Sequence, residues 1–527
     1  MCKANYRQAV SIGICAAVLF VGAMTYRLDR AGLFYDELHQ ATGAFAYVGR
    51  PRTMFSVLPL RGFPLLNMTY SGAIKTALYG LYLRVSGRPF GIISWRLSGI
   101  LLSVFGIVSL CVLAGDRIPT YALLLFLCLL LSDVNFLLQS RHDWGPVALA
   151  FLLRMLFIGT WLRSMGVPGK RASPMLLGLI VGIAIFEKLS SIVLLFPLAI
   201  ILLAEPRTRS TRKIASAAIG AFFGALPVIA AHIYWLLVER QWPLLSSMSS
   251  PAQTLLEYAW NYLALGNGVA ERQFEFTAAT FHWAEWVETL AMGGFMIFAG
   301  LVAWSRTRID NLAATAGIAL ISYGAIGVGL RWLPAPTAQN HWIIGTPFQY
   351  LAIAFAAASV WANQAPMKFM RVLCIGCLAT LLLARAPSLV SAFEAIRDDR
   401  YTAEWDPSLN TAAIFAAGQP KDTVFIAADW GIATQVFCLS NGRQDFVFEP
   451  FWDYDGPATL RQILDYPRRE FALLAAPRPR PLVRALATGR IYVDMAEMDG
   501  WEAVDLEPWV QKLPAVEIRA FRRTASR

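Results

Sequence analysis

Ten apolar runs, most of them near the length a helix needs to cross a bilayer, constrain this chain more than any other feature. They occupy residues 9–26, 92–113, 119–138, 146–162, 175–204, 214–238, 289–304, 312–330, 343–361 and 369–386. About twenty apolar residues in helical form span a hydrocarbon core. The 175–204 run is too long for one crossing, and Glu187-Lys188 breaks it near its middle. It reads as two short helices with that polar pair at the turn, which brings the total to about eleven spans. Composition agrees: 57% of the residues are hydrophobic, only 15% are charged, and the mean hydropathy is +0.50. A soluble domain carries about 25% charged residues.

The net charge of +11 would suggest nucleic acid in a soluble protein, but here the cations mark membrane sidedness. Lys3 and Arg7 precede the first span, which places the N-terminus in the cytoplasm. Loops falling on that side carry Arg117, then Arg163, Lys170 and Arg171, then Arg207, Arg209, Arg212 and Lys213. Arg306, Arg308, Lys368 and Arg371 continue the pattern. An odd span count then puts the C-terminal region outside, and no nucleic-acid partner is expected. A signal peptide would also explain the first run, although no clear cleavage site follows it. Of seven cysteines only Cys438 lies in the soluble part, so no disulfide framework is available. Cys374-x-x-Cys377 has zinc-like spacing but lies in a span without a second ligand pair.

Three regions interrupt the spans. An outside loop over about 27–90 opens with Arg27, Asp29 and Arg30 and runs into Phe34-Tyr35-Asp36-Glu37-Leu38-His39-Gln40. Later in it, Ile74, Ala77, Leu78, Leu81 and Val85 recur at helical spacing, predicting an amphipathic helix along the membrane surface. A second outside segment, 239–288, carries Trp242, Trp260, Trp283 and Trp286, which read as interfacial anchors. From 390 onward the chain is more charged and Pro-rich. Strands are expected at Thr423–Ala428 and Asp445–Phe448 and a helix at 457–465, which fits a small α/β domain. The division is therefore 1–389, membrane-embedded and containing the 27–90 loop, and 390–527, exterior.

Candidate chemical residues converge on the outer side. Asp36 and Glu37 follow the first span, and adjacent residues point apart, so at most one aims at a reacting atom. Asp143 sits in the turn Gln139-Ser140-Arg141-His142-Asp143-Trp144-Gly145-Pro146, where capping the next helix is an alternative role. Lys188 occupies the turn of the broken run, where snorkelling is the alternative. Arg331 and His341 flank an outer loop, a position where such residues are more often interfacial polar groups than site residues. Asp429-Trp430-Gly431 reads as a strand-end turn.

On these residues a resemblance appears. Leu33-Phe34-Tyr35-Asp36-Glu37-Leu38-His39-Gln40 resembles the acidic motif of polyprenyl-phosphate-dependent glycosyltransferases of the GT-C fold, especially the protein O-mannosyltransferase-like family, glycosyltransferase family 39. Gly62-Phe63-Pro64-Leu65-Leu66 through Tyr70-Ser71-Gly72-Ala73-Ile74-Lys75-Thr76 to Leu78-Tyr79 is similar to the juxtamembrane region of bacterial members. Arg141-His142-Asp143-Trp144-Gly145-Pro146 resembles the second acidic loop, and Gly182 to Lys188, running on to Pro197, resembles the glycine-to-lysine signature. Glu187 departs from that signature, standing where a small or hydroxyl residue is expected. The resemblance covers residues 10–200; the later spans match by topology and the C-terminal region hardly at all.

The resemblance implies a GT-C-like, α-helical polytopic membrane protein with a small C-terminal α/β exterior domain, seated in the inner (plasma) membrane. It implies transfer of a sugar from a polyprenyl-phosphate donor to a lipid, glycan or protein acceptor, inverting the anomeric carbon in a single displacement. Asp36 is then the general base, with Asp143 beside it as the second catalytic carboxylate. Glu37, His39, Arg141, His142, Lys188, Arg331 and His341 are the candidate substrate contacts, the cations among them answering the leaving phosphate. No metal ligand is assigned and no cofactor is certain. A divalent metal stays open, since no compact ligand cluster appears. A lipid-linked glycan polymerase or ligase would put a large basic loop late in the chain. A transporter would place polar features near mid-bilayer, often in paired halves.

Overall fold

A computed structural model describes residues 6–51, 54, 57–164, 173–204, 210–238, 240, 253–306, 310–333, 339–362, 368–478 and 485–524. Lys3, Lys170, Arg171, Arg207, Arg209, Arg308 and Trp242 lie outside the described residues. The protein is a polytopic helical bundle with a sheet-containing C-terminal region. Among the described residues, seven helices are long and apolar enough to cross a membrane: Tyr6–Thr25, Ile92–Ala114, Val147–Ser164, Thr211–Leu237, His282–Arg306, Asn311–Arg331 and Lys368–Arg397. A bent pair, Thr120–Leu131 with Val134–His142, makes an eighth.

The remaining apolar runs are helical but short. Pro174–Glu187 and Leu195–Ala204 are separated by a 3-10 segment, Leu189–Leu194, with the Glu187-Lys188 pair at the junction. At 1.5 Å per residue the first reaches roughly two thirds of the way through a hydrocarbon core. Thr346–Ala362 is buried along most of its length, so it is a central helix of the bundle rather than a lipid-facing one.

The 119–138 run bends by 66° where the sequence suggests one continuous span. Asp133 caps the second half by accepting from the Phe136 amide at 2.8 Å, and Arg385 donates to the Leu129 carbonyl at 2.8 Å. Arg385 also pairs with Glu288 at 2.8 Å and donates to the Tyr350 hydroxyl at 2.8 Å. Backbone groups freed by a break inside a membrane protein need partners of this kind.

The loop after the first helix folds into a small antiparallel sheet, Val57–Leu60, Phe63–Met68 and Ser71–Gly72, followed by the helix Ile74–Ser86. Leu78, Leu81 and Val85 on that helix are exposed, while Lys75, Tyr79 and Leu83 face inward. The last long helix continues to Arg397, about two turns past residue 389. Beyond it lies a five-stranded sheet ordered Val447–Phe448, Thr423–Ala427, Phe471–Pro477, Val516–Arg523, Trp501–Val504. The first two pairings are parallel and the last two antiparallel. Thr423–Ala427 is buried throughout, as an apolar strand covered on both faces must be. The expected helix forms as Pro457–Asp465.

Candidate active site

Apolar residues on either side of the acidic pair fix its geometry. Phe34 stacks on Trp405 at 5.0 Å and meets Phe274, Trp144 and Trp430 edge-on. Tyr35 packs on Trp430 at 4.9 Å and donates to Glu449 at 2.7 Å. With its neighbours locked, the 3-10 turn Asp36–Leu38 sends the two carboxylates different ways. Glu37 is fully buried and takes two bonds from Arg96, at 2.9 and 3.0 Å. Arg96 also donates to the carbonyls of Leu28, Ala31 and Gly32, so this pair pins the backbone of the acidic loop. Such a bidentate fork is the strongest form of the interaction.

Asp36 instead keeps 36% of its side chain open, with His39 Nε2 at 3.3 Å from its Oδ1. The protein around it displaces water and pushes its carboxyl up to about 6. Burial also lowers the His39 imidazole to about 4, so His39 is neutral at pH 7. Glu449, reaching in from the C-terminal region, is raised by burial to about 7 against the pull of the Tyr35 hydroxyl. Tyr70 lies within electrostatic reach of Asp36 and accepts the Leu189 amide on its carbonyl at 2.9 Å. It thereby links the acidic loop to the second cluster.

That second cluster is built where the first loop meets the broken helix. Asp143 is fully buried, pairs with Lys75 at 2.5 Å, and accepts the Ala148 amide at 2.7 Å. The Lys75 ammonium also lies 3.8 Å from the centre of the Trp95 ring. Glu187 accepts the Ile74 amide at 3.0 Å and the Lys75 amide at 3.5 Å, closing the start of the Ile74–Ser86 helix. A carboxylate there answers the unpaired amides and the helix dipole. Lys188 pairs in an isolated bridge with Ser71, and its ammonium donates to the carbonyls of Gly145 at 2.8 Å and Asn340 at 3.0 Å. Gly145 has φ +79°, a conformation side chains rarely adopt, and this turn delivers its carbonyl to Lys188. Lys188 and Asp143 are within electrostatic reach of each other, and so are Lys188 and His341. Burial and the Lys188 charge hold His341 well below the ordinary imidazole range.

Asp36, Asp143, Lys188 and His341 therefore gather at one end of the bundle, and the other sequence candidates take different places. Arg141 donates to the carbonyls of Met24 and Arg27, and His142 is buried against Glu275 at 2.9 Å and stacked on Trp405. Both brace the acidic loop from behind. Arg331 donates to the Gln253 carbonyl and lies over Tyr258, whose ring meets Trp342 of the short helix Gln339–Trp342. Sequence reasoning did not single out Lys75, Arg96 or Glu449. For Lys75 a signal existed, since it sits off the apolar stripe of its helix. Arg96 begins an apolar run with no periodicity to set it apart. Among the described residues no three His, Cys, Asp or Glu side chains gather as a metal would require. Asp36 and His39 offer two donors, so any divalent ion there would depend on further ligands.

No protein-family model matches the sequence, and no curated protein matches it. Solved structures do. The structure of ArnT from Cupriavidus metallidurans in the apo state superposes with a TM-score of 0.59 at 12% identity, over 95% of this chain and 97% of that one. The same protein bound to undecaprenyl phosphate gives 0.56 at 12% identity, over 97% and 98%. The chain thus has the GT-C fold that its first 200 residues resemble.

Proposed function

We propose that this protein is a membrane glycosyltransferase that moves a sugar from a polyprenyl-phosphate carrier to an acceptor hydroxyl or amine at the exterior face, with Asp36 as general base. The observation that carries this reading is the division of labour in the acidic pair: Glu37 is spent on Arg96, while Asp36 is held partly open with a carboxyl near 6. Such a group is ionised at neutral pH yet basic enough to take a proton. As the acceptor oxygen or nitrogen attacks the anomeric carbon, its proton passes to Asp36. The bond from that carbon to the phosphate oxygen breaks, and the carrier phosphate leaves with the electron pair. Attack opposite the leaving group inverts the centre. Lys188 stands nearest the cations' task of answering the phosphate. Undecaprenyl phosphate on a protein of this fold supports a donor of that class. Cation alternation in the loops favours the exterior side.

The test is Asp36→Asn, with transfer from a radiolabelled polyprenyl-phosphate sugar measured beside donor binding. Asn keeps the shape but cannot take up a proton. The expected outcome is a turnover loss of about 10²–10⁴ with binding retained. Near-normal turnover in Asp36→Asn would remove the base assignment.

A further inference from the structure

Asp143, buried against Lys75, holds φ +51°, in the left-handed region that residues with a side chain rarely adopt. Such a conformation persists where the surroundings over-determine it. Both chain neighbours of Asp143 are held, and by the same helix. Trp144 Nε1 donates to Glu271 at 2.9 Å, and His142 Nδ1 lies 2.9 Å from Glu275 Oε1. Glu271 and Glu275 stand four residues apart on the short helix Val269–Glu275, outside the membrane-spanning segments, so they project from one face. Both are fully buried.

Two carboxylates on one buried face repel, yet these two lie within hydrogen-bonding reach of each other. Glu275 Oε2 meets no N–H or O–H donor among the described residues. A proton between the two acids answers that oxygen and removes the repulsion. Burial, and then the charge of Glu271, pushes the Glu275 carboxyl well above the ordinary carboxylate range, and burial raises Glu271 too. Arg141 and Arg96 pull the other way on Glu275, but Arg141 is bound to the carbonyls of Met24 and Arg27, and Arg96 to Glu37. Tyr401 and His142 also face Glu275, while Gln139 and Gln339 face Glu271. His142 Nε2 has no partner among the described residues, so the ring carries one proton, on Nδ1, and donates it to Glu275.

We infer that Glu271 and Glu275 share one proton and act as a clamp that positions Asp143, through Trp144 and His142, for the proposed glycosyl transfer. The inference rests on that reading and adds two positioning residues and a protonation state to it. The same turn carries Gly145, whose carbonyl docks the Lys188 ammonium, so a slackened turn moves a cation as well as a carboxylate. With both acids ionised the pair repels and one arm of the clamp opens. Turnover therefore falls as pH rises through the raised carboxyl value. The stability that the proton contributes follows the same course, present at lower pH and lost over that range.

The test uses the full chain in lipid nanodiscs, as wild type, Glu271→Gln, Glu275→Gln, Glu271→Met and Glu275→Met. Glutamine keeps each hydrogen bond, because its amide donates to the remaining carboxylate and its carbonyl accepts from Trp144 or His142. Methionine removes them. Infrared spectra at about pH 8, above the Asp36 and Glu449 values, should show a buried carboxylic-acid carbonyl stretch that weakens in either glutamine variant. Transfer from a radiolabelled polyprenyl-phosphate sugar should run at wild-type turnover in the glutamine variants at neutral pH. Those variants should hold it on the alkaline side, where wild type falls. Folded methionine variants should lose about tenfold to a hundredfold in kcat. A spectrum unchanged by both glutamine variants would overturn the shared proton. A glutamine variant that falls with wild type, or wild type that does not fall as the acid band disappears, would overturn the clamp. So would a folded methionine variant with wild-type turnover; if neither methionine variant folds, the glutamine variants decide alone. Wild type transferring no sugar would end the transferase reading, and the infrared band would still test the proton by itself.

Discussion

Asp36 and Glu37 are neighbours in sequence with opposite physical fates, and the difference is measurable. The Asp36 carboxyl, pushed up to about 6, holds its proton more tightly in the folded chain than in the unfolded one. Its contribution to stability is therefore present at low pH and is lost as pH rises through 6. As a base it must be ionised, so kcat/KM should fall about tenfold per unit below pH 6. Glu449, raised to about 7, titrates in the same window, and His39, near 4, does not. A rate profile of Glu449→Gln should keep the acid limb near 6; a limb that vanished would assign it to Glu449 instead. Glu37→Gln makes the contrasting case. It leaves the buried Arg96 guanidinium without its counter-charge, which costs about 3–5 kcal/mol. Thermal melting should show that loss, while Asp36→Asn should melt no lower than wild type above pH 6.

At the scale of elements, the active end depends on pieces that are each too short to stand alone. The Ile74–Ser86 helix begins at Glu187, and Lys75 in its first turn is bonded to Asp143. Three segments distant in sequence thus meet through one buried charge cluster. Lys75→Met and Asp143→Asn should each destabilise the protein by roughly 3–5 kcal/mol, and the double variant by much less than the sum. A double-mutant cycle read by chemical denaturation checks this, and additive losses would mean the pair is not coupled. The apolar stripe of this helix, the mostly apolar strand Thr423–Ala427 and the polar break at Glu187-Lys188 were legible because periodicity and composition are local properties. The role of Glu187 was not. As a departure from the expected signature it said only that something differed, and the amides it caps lie over a hundred residues away. The bend at Ser132-Asp133 was hidden for the same reason, since the arginine that stabilises it lies 253 residues beyond Ser132.

For the molecule as a whole, the C-terminal region holds the acidic loop as well as following it. Thr434 donates to the Tyr35 carbonyl, Gln435 to that of Leu33, and Asn410 accepts the Leu33 amide. From sequence alone this region reads as accessory to the chemistry, because it carries no clustered acid, base and cation. Its contribution is backbone contacts, which composition does not reveal. Truncation after Arg400 should therefore lower turnover and melting temperature together. Donor-bound turnover surviving in a folded truncation would separate the two halves. The outward face of the Ile74–Ser86 helix carries a different implication. Leu78, Leu81 and Val85 are exposed among the described residues, yet the opposite side of the same helix carries Lys75 and starts on the carboxylate of Glu187. In a bilayer, acyl chains packed on those three side chains would act as a missing subunit. Replacing annular lipid with a small detergent micelle amounts to swapping that subunit for a poorer one, one helix-width from the buried charges.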